Sequence, residues 1–151
     1  MIFEGTISVP HSRDKVWDFV LDIQKFSSCM PGLDSVDQVD DNTFDGVITA
    51  KVGPISGRFN FRSSITNKNP KESLTVTIDG KDSVTASSII ANVNARLEEP
   101  QANHTEMSYK ADVEIKGRLA ILGDMILRAT TSLILDEFTK RLRKAMDVEA
   151  S

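Results

Sequence analysis

Gly117-Arg118-Leu119-Ala120-Ile121-Leu122-Gly123-Asp124-Met125-Ile126-Leu127-Arg128-Ala129-Thr130-Thr131-Ser132-Leu133-Ile134-Leu135 is the stretch that decides how this chain folds. Leu119, Leu122, Ile126, Ala129 and Leu133 recur at intervals of three and four, the spacing of one helix face. Leu135, Phe138, Leu142 and Met146 continue the stripe after a small phase shift. The spacing predicts one helix over 117–146, roughly 45 Å long at the usual rise per residue. Asp124 and Arg128 are the only charges between Leu119 and Leu135 and stand four apart, acid first, the favourable order for a surface pair. The first half of this helix is therefore expected to be buried on most sides, and the charged second half to reach solvent. Such a helix needs something to wrap its first half.

The preceding residues supply a sheet. A strand is expected over 2–9 and a helix over 13–21, with Ser12 as its cap and Asp14 near its positive end. Asp22 caps a second short helix through Ile23 and Phe26, which Pro31-Gly32 stops. From Leu33 the apolar period becomes two, the mark of strands. Alternating runs are centred on 36–39, 44–52, 59–65, 74–78, 89–97 and 107–115. Turns are expected at 40–42, 53–54, 67–71, 80–83 and 100–103. Short connections make the sheet antiparallel, with one apolar face for the long helix to cover. The fold class is α+β: a seven-stranded antiparallel sheet wrapped around a long C-terminal helix, with two short helices after the first strand. Gly53-Pro54 reads as a sharp corner or a bend in the sheet, Gly57 as a bulge, and Gly123 as a helix-interior glycine that allows close packing or leaves room for a ligand.

Composition limits the function. The 151 residues suit one domain, here 1–151, and the formal net charge of −4 argues against a nucleic-acid binder. Cys29 is the single cysteine, so there is no disulfide framework or cysteine-rich zinc site. The N-terminus shows no signal peptide, and a cytoplasmic location is expected. Asn103-His104-Thr105 fits the glycosylation pattern, which carries little meaning there.

Cys29-Met30-Pro31-Gly32, Lys51-Val52-Gly53-Pro54-Ile55-Ser56-Gly57-Arg58-Phe59, Val16-Trp17 and Lys116-Gly117-Arg118-Leu119-Ala120-Ile121-Leu122-Gly123 go beyond pattern. Together they resemble the CoxG family of carbon monoxide dehydrogenase subunits, within the START-like (SRPBCC) helix-grip superfamily, over about 2–142. The resemblance implies an accessory protein of a molybdenum-containing carbon monoxide dehydrogenase or related hydroxylase, concerned with maturation, membrane recruitment or electron delivery to quinone. It also implies a fold that carries hydrophobic ligands such as lipids and isoprenoid quinones. The chain departs from the family pattern at Asp82-Ser83-Val84-Thr85-Ala86-Ser87-Ser88, where many members have several glycines. It also ends at Ser151, without the membrane-reaching extension of some members, so membrane contact is expected to be weak and peripheral, at the inner face of the cell membrane.

A search for chemistry finds little. His11 and His104 stand alone in loops, no metal-ligand spacing or phosphate loop appears, and Asp40-Asp41-Asn42 is explained by a turn. Cys29 reads as a packing residue rather than a reactive thiol. The apolar face is the place for function. Phe26 and Met30 are expected near a cavity mouth, and Ile48, Ala50, Phe59, Phe61, Ile65, Ile78, Ala91, Tyr109, Leu122, Met125 and Ile126 to line its interior. Tyr109 is open to two readings, a donor to a ligand carbonyl or a core tyrosine bonded to backbone. No covalent cofactor or metal is expected; the ligand would be a quinone or lipid, and the chain no enzyme. A cyclase or dehydratase of the same fold, and an interaction module with a filled core, are the alternatives. Phe26, Met30 and Leu33 are the expected anchors for a bilayer surface, with Lys25 the only basic residue of that helix.

Overall fold

A computed structural model describes residues 1–150. The elements run β1 (Ile2–Val9), α1 (Arg13–Leu21), α2 (Ile23–Cys29), β2 (Leu33–Asp40), β3 (Thr43–Val52), β4 (Ile55–Asn69), β5 (Ser73–Asp82), β6 (Ser87–Gln101), β7 (His104–Lys116), a 3-10 turn (Arg118–Leu122) and α3 (Asp124–Ala150). The seven strands form one antiparallel sheet in the order β1-β7-β6-β5-β4-β3-β2. Sequential hairpins build all of it except the pairing that brings β1 beside β7. The helix-grip arrangement expected from the pattern is present.

The short helices start where their caps place them. Ser12 accepts from the Lys15 amide at 3.3 Å, and Asp22 from Gln24 and Lys25 at 3.1 and 3.2 Å. These contacts satisfy amides that a first helical turn leaves without partners. Gly53-Pro54 is a two-residue hairpin between the paired Val52 and Ile55, with Gly53 at φ +58°. Gly57 is no bulge: it pairs in register with Ala50, and the Phe59 ring lies where its side chain would be. Gly80 does not open a turn. It lies within β5 and carries the close passage of Phe61 Cβ, so the strand runs on to Asp82 and the chain reverses over 83–86.

The long helix departs most from expectation. It does not begin at Gly117. Gly117 (φ 87°, ψ −153°) and Gly123 (φ 82°, ψ 167°) lie in a backbone region that essentially only glycine enters, and they bracket one 3-10 turn. Nothing stands within 4 Å of a side chain at Gly123, so backbone conformation rather than packing or ligand room explains it. The break rephases the helix. Leu127, Phe138, Leu142 and Met146 face the core, whereas Met125 is 85% exposed, Leu133 70% and Ile126 37%. The stripe Ile126-Ala129-Leu133 thus lies outward, and the expectation of a first half buried on most sides is overturned. The buried end is the charged second half, whose Phe138, Leu142 and Met146 pack under α1 and α2 with Val16, Trp17 and Phe19.

Two arginines of α3 fasten it to the edge strand. Arg128 donates to the Ile2 carbonyl and Arg143 to the Ser8 carbonyl, each at 2.9 Å. Strand β1 would otherwise present these acceptors to any passing chain. Arg128 also pairs with Asp124 at 3.5 Å, as the four-residue spacing implied.

The turn over 83–86 is fixed from beneath. Buried Asp82 accepts from the Arg58 and Val84 amides and the Thr85 hydroxyl, at 3.0, 2.9 and 3.1 Å. Ser87 Oγ then accepts from the Leu119 amide at 3.0 Å. The Ala86 carbonyl lies against Gly117 so closely that no side chain fits there. Gly117→Ala should therefore cost more than Gly123→Ala. Each pays backbone strain of about 1–3 kcal/mol, and only Gly117 adds a collision; thermal melting of the two variants checks the order. A second expectation concerns acid. Burial works against the Asp82 charge, but the donors around it outweigh burial and hold its carboxyl below the ordinary aspartate value. A lowered pKa gives stability that is present above the unfolded value, about 3.9, and lost as pH falls through the folded one. Asp40 and Asp45 are held low as well. Unfolding of Asp82→Asn should consequently depend less on pH below about pH 4 than that of the parent, with part of the dependence remaining.

Candidate functional site

The core is divided. One cluster gathers α1, α2, the C-terminal half of α3 and one end of β1, β6 and β7 around Val9, Val16, Leu97 and Leu142. A second, at the other end, joins Val52, Phe59, Leu119 and Leu127, with Ile48, Ala50, Ile55, Ile89, Ile115 and Leu122 packed against it. Between them lie inward residues of the central strands that belong to neither: Phe61, Ser63 and Ile65 on β4, Val76 and Ile78 on β5, Val93 on β6, and Ala111 and Val113 on β7. All of these are only half-buried. Thr131, Ile134 and Leu135 stand over them on α3 between Leu127 and Phe138, also half-buried and outside both clusters.

An apolar side chain inside a filled core is normally close to fully covered. The strand backbones show why these are not. Helix α3 comes nearest the sheet at β1 and β3, towards its two margins, rather than over β4, β5 and β6. The half-buried faces of helix and sheet mark out a candidate hollow between them. From Leu127 to Phe138 the helix roofs about 16 Å of it at 1.5 Å per residue. Small residues deepen the floor. Ala91 pairs with Ile78 on one side and Val113 on the other, and Ala111 with Val93. Aromatic rings lean off the centre over glycines: Phe61 across Gly46, Phe59 across Gly57, and Tyr109 across Gly5. Beside the hollow a cleft of about 250 Å³ opens between the α1–α2 junction and β2, β3 and β4; Ile65 lines both, with Phe44 and Leu21 on the cleft wall.

The expected site residues divide accordingly. Phe61, Ile65 and Ile78 lie half-buried between the two clusters, and Ala91, beside Ile78, is buried. Ile48, Ala50, Phe59 and Leu122 close one end of it as part of the second cluster. Phe26, Met30 and Tyr109 pack on the first cluster at the other end, and the Phe26 ring lies 5.4 Å from that of Phe138. That contact packs half-buried Phe26 against the core. Met125 and Ile126 do not face inward; the rephased helix turns Met125 to solvent and sets Ile126 beside Gly53, where a side chain on the glycine would touch it. Thr131, Ile134 and Leu135 hold the roof instead. Val76, Val93, Val113 and Ser63 were missed as lining, although the same two-residue alternation that found their neighbours marks them.

Polar groups in the hollow are few. Ser63 carries a hydroxyl on its floor. Tyr109 stands at its border, and its hydroxyl makes no hydrogen bond among the described residues. Burial, and then the Asp136 carboxylate, push its pKa above the ordinary phenol value, so it remains a donor at neutral pH. His11 lies outside, with Nε2 2.7 Å from Asp147 Oδ1, and His104 opens β7 at a tight turn. Cys29 is buried in the first cluster, and burial raises its thiol pKa. Among the described residues no group of histidine, cysteine and carboxylate side chains could hold a metal, and no helix is long and apolar enough to cross a membrane.

Solved structures share this architecture. A conserved protein from Geobacillus kaustophilus superposes with a TM-score of 0.91 at 18% identity, covering 97% of this chain and 95% of that one. A START superfamily protein from Mycobacterium smegmatis gives 0.72 at 12% identity, covering 97% of each chain. The Zhui aromatase/cyclase from Streptomyces sp. R1128 gives 0.65 at 13%, covering 99% and 93%. At these identities the likeness shows the fold alone, and that fold is START-like. No curated protein matches the chain. Residues 5–147, however, match CoxG, a family of carbon monoxide dehydrogenase subunits, and to that family the chain belongs.

Proposed function

We propose that this protein is a non-enzymatic accessory of a molybdenum-containing carbon monoxide dehydrogenase-type enzyme, and that it carries a hydrophobic small molecule, a quinone or a lipid, in the hollow under α3. The observation that carries the reading is the divided core: two packed clusters with a half-buried apolar floor and roof between them. Exposed apolar surface inside a fold costs free energy in proportion to its area, and a ligand that covers it recovers that cost. A shape about 16 Å long under the helix, lined by valine, isoleucine, phenylalanine and alanine, suits an isoprenoid or acyl chain. The Tyr109 and Ser63 hydroxyls suit one or two carbonyl oxygens on such a ligand, as a quinone ring presents.

The family supports the partner, because its name ties its members to carbon monoxide dehydrogenase. A quinone carrier beside that enzyme would take electrons from it and deliver them to the membrane pool. The same lining supports a carrier over a catalyst. General acid–base chemistry needs a titrating group within hydrogen-bond reach of the reacting atom, and the hollow offers hydroxyls while both histidines lie outside it.

Ala91→Phe tests the reading. Ala91 sits at the centre of the floor, between Ile78 and Val113. The variant should fold with a nearly unchanged melting temperature and lose binding of a quinone or fluorescent fatty-acid probe. In a filled core the added ring would instead overpack, cost about 1–3 kcal/mol and lower the melting temperature. That result, with no probe bound by the parent protein, would remove the carrier reading. The double variant His11→Ala, His104→Ala should keep probe binding and electron transfer from the dehydrogenase to quinone.

A further inference from the structure

Among the described residues one buried side-chain polar atom lacks a hydrogen-bond partner, the hydroxyl oxygen of Ser27 on α2. Neighbouring helical hydroxyls are returned to backbone. Ser28 donates to the Lys25 carbonyl at 2.6 Å, and Thr130, Thr131 and Thr139 donate to carbonyls one turn back at 2.9, 2.8 and 2.8 Å. The same bond to the preceding turn is open to any helical serine, and Ser27 does not make it. Folds leave few buried hydroxyls unpaired, because a polar group taken out of water without a partner is unfavourable.

The turn of α2 places this hydroxyl. At about 100° per residue, Cys29, Phe26, Ile23 and Ser27 succeed one another around the helix. Cys29 is buried in the first cluster, Phe26 packs on Phe138, and Ile23 lines the cleft beside the hollow. Ser27 stands one turn beyond Ile23 and continues this face on the side away from Cys29. The floor opposite has a matching order. Gln38, Phe44, Ser63, Ile78, Ala91 and Val113 pair in one row across β2 to β7. Gln38 and Phe44 line the cleft, Ser63 comes next, and the last three are apolar. From Ser63 to Val113 the row spans about 14 Å at the usual strand spacing.

The geometry points to the cleft as the seat of an uncharged polar head on the ligand, with Ser27 as the hydrogen-bond donor that positions it. The inference rests on the carrier reading and gives it a direction: head against α2 and Ser63, chain along the row over Ile78, Ala91 and Val113. An oxygen at one end of the ligand accepts from the Ser27 hydroxyl. That oxygen leaves water on binding, and an unpaired donor already buried at the site replaces its lost hydrogen bond. A carboxylate or phosphate head is disfavoured. Asp22 and Asp41 line the cleft against a single cation, Lys68, and they repel a like charge brought between them.

Equilibrium binding to the full chain tests this with three probes: a short-chain isoprenoid quinone, an oxygen-free hydrocarbon with the same isoprenoid tail, and a fatty acid of similar length. Ser27→Ala should weaken quinone binding about five- to tenfold, the worth of one neutral hydrogen bond, and leave the hydrocarbon unchanged. Its melting temperature should equal or exceed the parent value, since the change removes an unpaired buried group. In the infrared spectrum, the carbonyl stretch of the bound quinone should rise in frequency in Ser27→Ala, a shift that a merely structural hydroxyl would not produce. The fatty acid should bind the parent more weakly than the quinone, and Asp41→Asn should narrow the gap. Quinone binding that Ser27→Ala leaves intact would overturn the inference and spare the carrier reading. Equal losses for quinone and hydrocarbon would overturn it too, since Ser27 would then shape the site without bonding the head. A fatty acid that binds more tightly than the quinone would overturn the uncharged head. A parent protein that binds none of the three would remove the carrier reading and this inference together.

Discussion

The close seating of Gly117 against the Ala86 carbonyl is the contact on which the rest of the molecule depends. It joins the last strand to the β5–β6 turn, and with Gly123 it confines residues 118–122 to a 3-10 turn before α3 begins. A helix entered one turn earlier would keep the 3.6-residue phase of Leu119 and Leu122 and turn Ile126 and Leu133 inward. The glycine break resets that phase. Leu127 faces the sheet instead, the aliphatic residues on the other side of α3 remain in water, and Phe138, Leu142 and Met146 reach the pocket made by α1 and α2. The division of the core and the exposure of Ile121 and Met125 both follow from where this helix starts.

A divided core has consequences for stability. Each cluster closes one end of the sheet and is packed in the ordinary way, but neither extends across the middle. The centre is held by backbone. β4 to β7 pair along nearly their full lengths, and the rings of Phe61 and Tyr109 lie beside Gly46 and Gly5 on the neighbouring strands. Ring-over-glycine contacts cover a strand where it lacks a side chain and also keep the central space open. Gly5 and Gly46 thus each give a neighbouring aromatic ring a place against the sheet.

Much of this was legible in the residues. Strict alternation placed every strand, Ser12 and Asp22 placed two caps, and Gly53-Pro54 placed a hairpin, because each depends on interactions local in sequence. Family motifs carried the fold further. The phase of α3 was not legible, since Gly123 reads equally as a tolerated helix interior or as a break, and the choice is made by Ala86, thirty-one positions before Gly117. The strand ends were also misjudged. Gly80 resembles a turn residue until Phe61 is seen to pass over it. Of the lining, Phe61, Ile65, Ile78 and Ala91 were readable from alternation on strands, whereas Met125 and Ile126 inherited the error in helical phase.

The distribution of charge along the fold shows how one chain can separate its surfaces. An overall negative charge keeps proteins apart in solution and away from anionic surfaces. Here three acids near the β5–β6 turn and the start of α3, Asp82, Glu114 and Asp124, are taken up by local hydrogen bonds and ion pairs. Buried Asp82 is the clearest case. It sits beneath the turn that carries Val84, and the amides and hydroxyl around it absorb its charge inside the protein. An apolar residue there would leave those donors unsatisfied; an exposed aspartate would offset the lysines beside it. Burying the carboxylate avoids both, holding the turn in shape while leaving the surface around it cationic.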